Sequence, residues 1–179
     1  MEQTGRKHSI NGEIIKSRKK TSGKWYELQD SISYWKDFDK EKIIYPETTK
    51  FIPFVLDKDK YLANKTCFII TGEHTAYLAA FLNSSLFKYC FIDNFPPLGE
   101  DRRGLAKIYF ERIPVLEVSD SVDAEFRKLI LDIQKNYSDE KAKAIDQRIF
   151  DLYDLGDKER EVIGYIDFHN NDNETNDDE

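Results

Sequence analysis

The stretch Thr66-Cys67-Phe68-Ile69-Ile70-Thr71-Gly72, closely followed by Ala76-Tyr77-Leu78-Ala79-Ala80-Phe81-Leu82-Asn83, decides the fold class. Its first half is branched and apolar and closes on a turn glycine, which predicts a strand. Cys67 to Ile70 is apolar throughout, as a central strand covered on both faces would be. In the second half Ala76, Tyr77, Ala79, Ala80 and Phe81 lead to Asn83, which predicts a helix with Thr71 as N-cap and Asn83 as its stop.

Outward from this pair, the runs Lys42-Ile43-Ile44-Tyr45 before Pro46 and Phe51 to Leu56 before Asp57 read as further strands. Ser84-Ser85 can cap a new helix over Leu86 to Ile92. Asp93 to Lys107, with Pro96-Pro97, Gly99 and Gly104, is the longest irregular segment. Ile108 to Phe110 and Val115 to Val118 read as a strand pair broken by Pro114. Beyond Ser119 the period becomes helical. Val122, Phe126, Leu129, Ile130, Ile133 and Tyr137 form one face behind an Asp120 cap. Ala142, Ile145, Ile149, Leu152 and Tyr153 mark a second helix ending at Gly156. Asp157 caps a third, with Val162, Ile163 and Ile166 inward. The expectation is an α+β fold, a small mixed or antiparallel sheet with packed helices and then a C-terminal helical segment. Its parts are a polar basic lead-in over 1–24, with a short helix around Ile14 and Ile15, an α+β domain over 25–118, C-terminal helices over 119–168, and a disordered acidic tail over 169–179.

Size and charge narrow the classes. The chain has 179 residues with 27 Lys+Arg against 34 Asp+Glu, a net charge of −7. Six acidic groups and no basic ones lie between Asp167 and Glu179, so the body carries only −1. Global charge gives nucleic acid no support, yet it leaves room for a local basic face. The apolar stretch Ala76 to Ile92 is broken by Asn83-Ser84-Ser85 and Lys88, which argues against a membrane span, and no signal-peptide core opens the chain. Cys67 and Cys90 have no metal or redox spacing and read as reduced core thiols of a cytoplasmic protein.

Catalytic signatures are missing from the pattern. Gly99 and Gly104 form no phosphate-binding loop, and His8, His74 and His169 are scattered, so neither a catalytic set nor a metal site is expected. Asp139-Glu140-Lys141 matches a bare nuclease half-motif but sits at a helix start, where acids favour the dipole. Asn94-Phe95-Pro96-Pro97-Leu98 resembles the adenine-holding motif of amino-methyltransferases, but Phe95 separates the Asn from the prolines and Leu98 stands where an aromatic is needed. It reads as a loop.

Basic clusters are more informative. Lys16, Arg18, Lys19, Lys20 and Lys24, followed by Trp25 and Tyr26, either set cations on phosphates beside a stacking ring or form a solvated loop anchored by Trp25. Arg102 and Arg103, with Lys107 and Arg112, lie in or beside the long loop. Arginine there suits bidentate contact with guanine or phosphate, unless Glu100, Asp101 and Glu111 neutralise it.

In order, Trp25-Tyr26-Glu27-Leu28, Lys42-Ile43-Ile44-Tyr45-Pro46, Thr66 to Thr71, Tyr77 to Ser84 and Ile113-Pro114-Val115 resemble the C-terminal target-recognition (specificity) domain of TaqI-like adenine-N6 DNA methyltransferases, used in type IIG restriction–modification enzymes. Ile145 to Leu155, running into Glu161-Val162-Ile163, resembles the helical ending of the same enzymes, so that the likeness spans roughly 13 to 166. The resemblance implies a domain, inactive by itself, that reads base edges of double-stranded DNA while a methyltransferase domain flips out the adenine. That catalytic domain, with or without a nuclease, would belong to the same polypeptide or a separate subunit. It would bind S-adenosylmethionine, and no cofactor is expected in this chain. The nine basic residues named above are the candidate DNA contacts. A competing expectation is a protein-interaction or scaffold domain that uses the stripe Phe126, Leu129, Ile130 and Ile133.

Overall fold

The computed structural model describes residues 33–50, 54–99 and 102–165. Two compact units divide the chain, Met1–Lys36 and Asp37–Glu179. Of the first, only residues 33–36 are described, where the Lys36 ammonium lies 5.7 Å from the centre of the exposed Trp35 ring. The lead-in helix around Ile14 and Ile15, Ile166 and the acidic tail lie outside the described residues.

The second unit is α+β. Its sheet has the order β3 (Val55–Asp57), β1 (Lys42–Pro46), β4 (Cys67–Ile70), with both neighbours antiparallel to β1. The centre is therefore β1, which buries Ile43 and Tyr45, and β4 is an outer strand of this sheet with Phe68 39% exposed. The unbroken apolar run in β4 serves cross-strand pairing, as Phe68 meets Tyr45 at 5.6 Å, rather than coverage of both faces. A second ladder joins β2 (Thr48–Thr49) to β5 (Arg103–Gly104).

Helix α1 (Thr75–Leu82) lies in the middle, with Ala76, Ala79 and Ala80 fully buried. These small side chains admit close neighbours, while Tyr77 and Phe81 fill the remaining volume. The helix begins after His74, in a left-handed conformation (φ 53°), and not at Thr71. His74 makes no side-chain cap. Asp123 of α4 (Asp120–Lys135) instead accepts the Tyr77 N–H at 2.9 Å, and the Thr75 hydroxyl donates to Glu41 at 2.5 Å. Arg127 neutralises both acids by pairing with Glu41 and Asp123.

The same device caps α2 (Ser85–Phe91). Ser84 accepts from the Phe87 N–H, and buried Asp146 of α5 (Asp139–Leu152) accepts from the Ser85 N–H and hydroxyl. Among the described residues no cation pairs with Asp146, and burial raises its carboxyl above its ordinary range against the pull of the Ser85 bonds. Two side-chain amides tie strand to helix. Asn83, which ends α1, donates to the Phe54 carbonyl at 2.7 Å and accepts its N–H at 3.2 Å. Gln134 of α4 does the same for Leu56 at 3.0 and 2.9 Å.

Several expectations are corrected. Ile108 to Phe110 falls in a helical turn, α3 (Lys107–Phe110), because Tyr109 and Phe110 both contact Phe95, at 5.8 and 4.8 Å. An alternating strand cannot turn adjacent side chains to one face. Val115 to Val118 forms no strand among the described residues. Ser119, not Asp120, precedes α4. The left-handed residue after α5 is Asp154, while Gly156 is the N-cap of α6 (Asp157–Ile163) and donates to Glu159 at 2.7 Å. Val162 is 65% exposed, so only Ile163 of that pair packs inward. Cys90 is an exposed free thiol in the last turn of α2, not a core residue, because the helix buries only its first turn, Ser85 to Phe87.

The stripe offered for protein docking is internal: Phe126 and Ile130 are buried, and Leu129 and Ile133 pack against the same core. Among the described residues, no helix is long and apolar enough to cross a membrane.

Candidate nucleic-acid interface

Phe95 anchors the arginine-bearing segment. It is completely buried, with Phe110, Tyr109 and Phe87 around it, so Asn94-Phe95-Pro96-Pro97 serves as an attachment point. From there the chain runs out and back. Leu98 N–H donates to the Arg102 carbonyl at 2.8 Å, Gly104 N–H donates to the Pro96 carbonyl at 3.0 Å, and Pro97 bridges to Arg103. Gly99 takes φ +78° in the reversal, a conformation that an L side chain rarely adopts. Gly104 also meets a spatial demand, since a Cβ there would stand 3.1 Å from the Leu98 side chain. On its other edge Arg103–Gly104 pairs with Thr48–Thr49. The result is a small antiparallel ribbon, a shape that can enter a major groove.

Arg102 is exposed on this ribbon and forms no ion pair among the described residues. Arg103 is held by Asp93, Nη2 to Oδ1 at 2.7 Å, with the aspartate 85% exposed. A guanidinium has five donors to share, so this pair orients Arg103 without exhausting it. Lys107 starts the following turn and reaches Glu111 at 3.3 Å, an exposed contact of little energetic weight. Arg112 is exposed after that turn and has no ion pair among the described residues. The ribbon thus carries Arg102 and Arg103, and the turn beside it carries Lys107 and Arg112. Lys16, Arg18, Lys19, Lys20 and Lys24, together with Trp25, Tyr26, Glu100 and Asp101, lie outside the described residues.

Other surfaces have different chemistry. An open cavity of about 730 Å³ is lined by Lys40, Glu41, Glu73, His74, Asp120 and Arg127 among others, and its arginine is already paired with acids. Asp139 and Glu140 occupy the first turn of α5 behind the Ser138 cap, the structural role open to them in sequence. No group of three or more His, Cys, Asp and Glu among the described residues could hold a metal ion.

Sequence reasoning missed one basic feature, the connection from β3 to β4 with Lys58, Lys60 and Lys65. Its alternation with Asp57 and Asp59 conceals it, because a string cannot show that Asp57 is buried.

A small sheet backed by helices, with a basic ribbon at one end, defines an α+β domain built to present side chains from loops. The model of the TaqI-like C-terminal specificity domain matches residues 5–115, and the chain belongs to that family, whose members serve DNA target recognition in restriction–modification enzymes. The match begins before and stops well short of the 13 to 166 span of the resemblance, so the helices beyond residue 115 fall outside it. No curated protein matches the chain.

Proposed function

We propose that this domain reads the DNA target of an adenine-N6 methyltransferase of the type IIG kind and is non-catalytic by itself. The observation that carries this reading is the ribbon of Pro96 to Gly104, which presents Arg102 and Arg103 from a backbone anchored by buried Phe95, within a chain of the specificity family. Arg102 and Arg103 read base edges, while Lys107 and Arg112 lie on phosphates. Lys16, Arg18, Lys19, Lys20 and Lys24 add phosphate contacts. The methyltransferase domain, in the same polypeptide or a separate subunit, supplies the S-adenosylmethionine site and the base-flipping pocket. The assembly acts on cytoplasmic double-stranded DNA.

Methylome mapping of cells that carry the parent enzyme tests this reading. Arg102→Ala with Arg103→Ala should relax the methylated motif, by about 1–3 kcal/mol of discrimination for each bidentate pair removed. A motif and methylation level identical to those of the parent would remove these arginines from recognition. Neutralising Lys19, Lys20 and Lys24 should instead weaken all sequences alike.

A further inference from the structure

We infer that the loop joining β3 to β4, residues 58–66, is a second DNA-contacting element, with Lys58, Lys60 and Lys65 on backbone phosphates and Tyr61-Leu62 as an apolar tip entering a groove of duplex DNA. This inference rests on the recognition reading above and adds to it an element outside both basic clusters named there.

The loop is held in one shape at both ends. At its start, buried Asp57 accepts the Asp59 N–H at 2.8 Å and the Tyr61 N–H at 2.9 Å. The same carboxylate pairs with Lys42 Nζ at 2.5 Å, with the two side chains 3% and 0% exposed. Lys42 also donates to the Phe38 carbonyl at 2.9 Å. At the exit, Asn64 Oδ1 accepts the Thr66 N–H and hydroxyl at 3.0 and 2.6 Å, and its carbonyl accepts the Cys67 N–H at 3.1 Å. Lys60 is left-handed, with φ 61°. A buried ion pair costs desolvation that its attraction seldom exceeds by much, so its strongest effect here is on conformation.

The loop tip buries little in return. Tyr61 is 66% and Leu62 80% exposed, adjacent and bulky on a backbone that is already ordered. Lys58 and Lys65 have no ion pair among the described residues, and Lys60 reaches only exposed Asp39, at 3.9 Å. Ordered cations flanking an apolar tip match the chemistry of a phosphate backbone beside a groove, and prior ordering lowers the entropy cost of binding.

Position joins this loop to the ribbon. Glu47 N–H donates to the Thr66 carbonyl at 2.9 Å, and the Glu47 carbonyl accepts the Leu105 N–H at 2.8 Å. Glu47 forms the bend between β1 and β2, so both segments are tied to one residue. The exit of the lysine loop and the exit of the arginine ribbon therefore meet at Glu47, which sets the Lys65 end of the loop next to the ribbon, while the loop starts from Asp57 opposite Lys42 at the other end of β1.

Binding of the 179-residue chain to duplex DNA, followed over a salt series, tests the inference. The triple variant Lys58→Gln, Lys60→Gln, Lys65→Gln should lower the slope of log affinity against log salt by about 0.9 for each phosphate that is no longer neutralised. Tyr61→Ala with Leu62→Ala should weaken binding about tenfold and leave the slope unchanged. All five side chains are exposed, so the variants should melt with the parent chain. Parent-like slope and affinity in both variants, with the unaltered chain still binding DNA in a salt-dependent way, would overturn the loop assignment and leave the recognition reading standing. Absence of DNA binding by the unaltered chain would overturn both.

Discussion

The lysine loop and the arginine ribbon both end at Glu47 but are held in different ways. Residues 58–66 take their shape from side chains, chiefly the Asp57 carboxylate with Lys42 behind it and the Asn64 amide. The ribbon takes its shape from backbone hydrogen bonds and one buried ring, Phe95. A backbone ladder does not depend on which side chains project from it, whereas a carboxylate hub depends on one residue. The ribbon can therefore change its outward side chains without losing its geometry, as a base-reading element requires. The loop has a fixed form, suited to phosphates, which are the same at every site.

Asp57→Ala should produce the largest break in this comparison. It leaves the Lys42 ammonium buried and unpaired, and the expected loss of about 3–5 kcal/mol in denaturant unfolding would exceed any change in the ribbon. Amide exchange at Asp59 and Tyr61 should accelerate in the same variant, while exchange at Leu98 and Gly104 stays near its original rate. Gly99→Ala comes next, at about 1–2 kcal/mol, because its φ of +78° penalises any Cβ. Arg103→Ala should cost under about 1 kcal/mol in thermal melts, since its partner Asp93 is exposed and the backbone alone holds the ladder. Equal losses from Asp57→Ala and Arg103→Ala would erase the distinction between the two elements.

Much of this architecture is legible in the residues. A run of alanines and aromatics marks α1, and Pro46 and Asp57 mark strand ends within a residue. The helical period locates α4 and α5 because each buries one continuous face. The order of strands is not legible: β4 is more apolar than β1, yet β1 is central, since pairing depends on partners and not on composition. Helix caps escape for a related reason. Asp123 and Asp146 cap helices from 46 and 61 residues away, which no local motif records. The ribbon strands are two residues long, too short for any period to show. Arg102 and Arg103 are nevertheless visible, because paired arginines between glycines stand out by composition alone. The lysine loop is not, because its neighbouring aspartates balance it on paper.

Glu47 has a consequence for how the domain could diversify. Its N–H and carbonyl are committed to Thr66 and Leu105, so the exits of the two excursions are spliced into the sheet at a common joint. Residues added to either excursion would lengthen it outward and leave the alignment of the other unchanged. A domain wired in this way resembles a socket with two interchangeable cartridges, in which one can be replaced while the other keeps its seat.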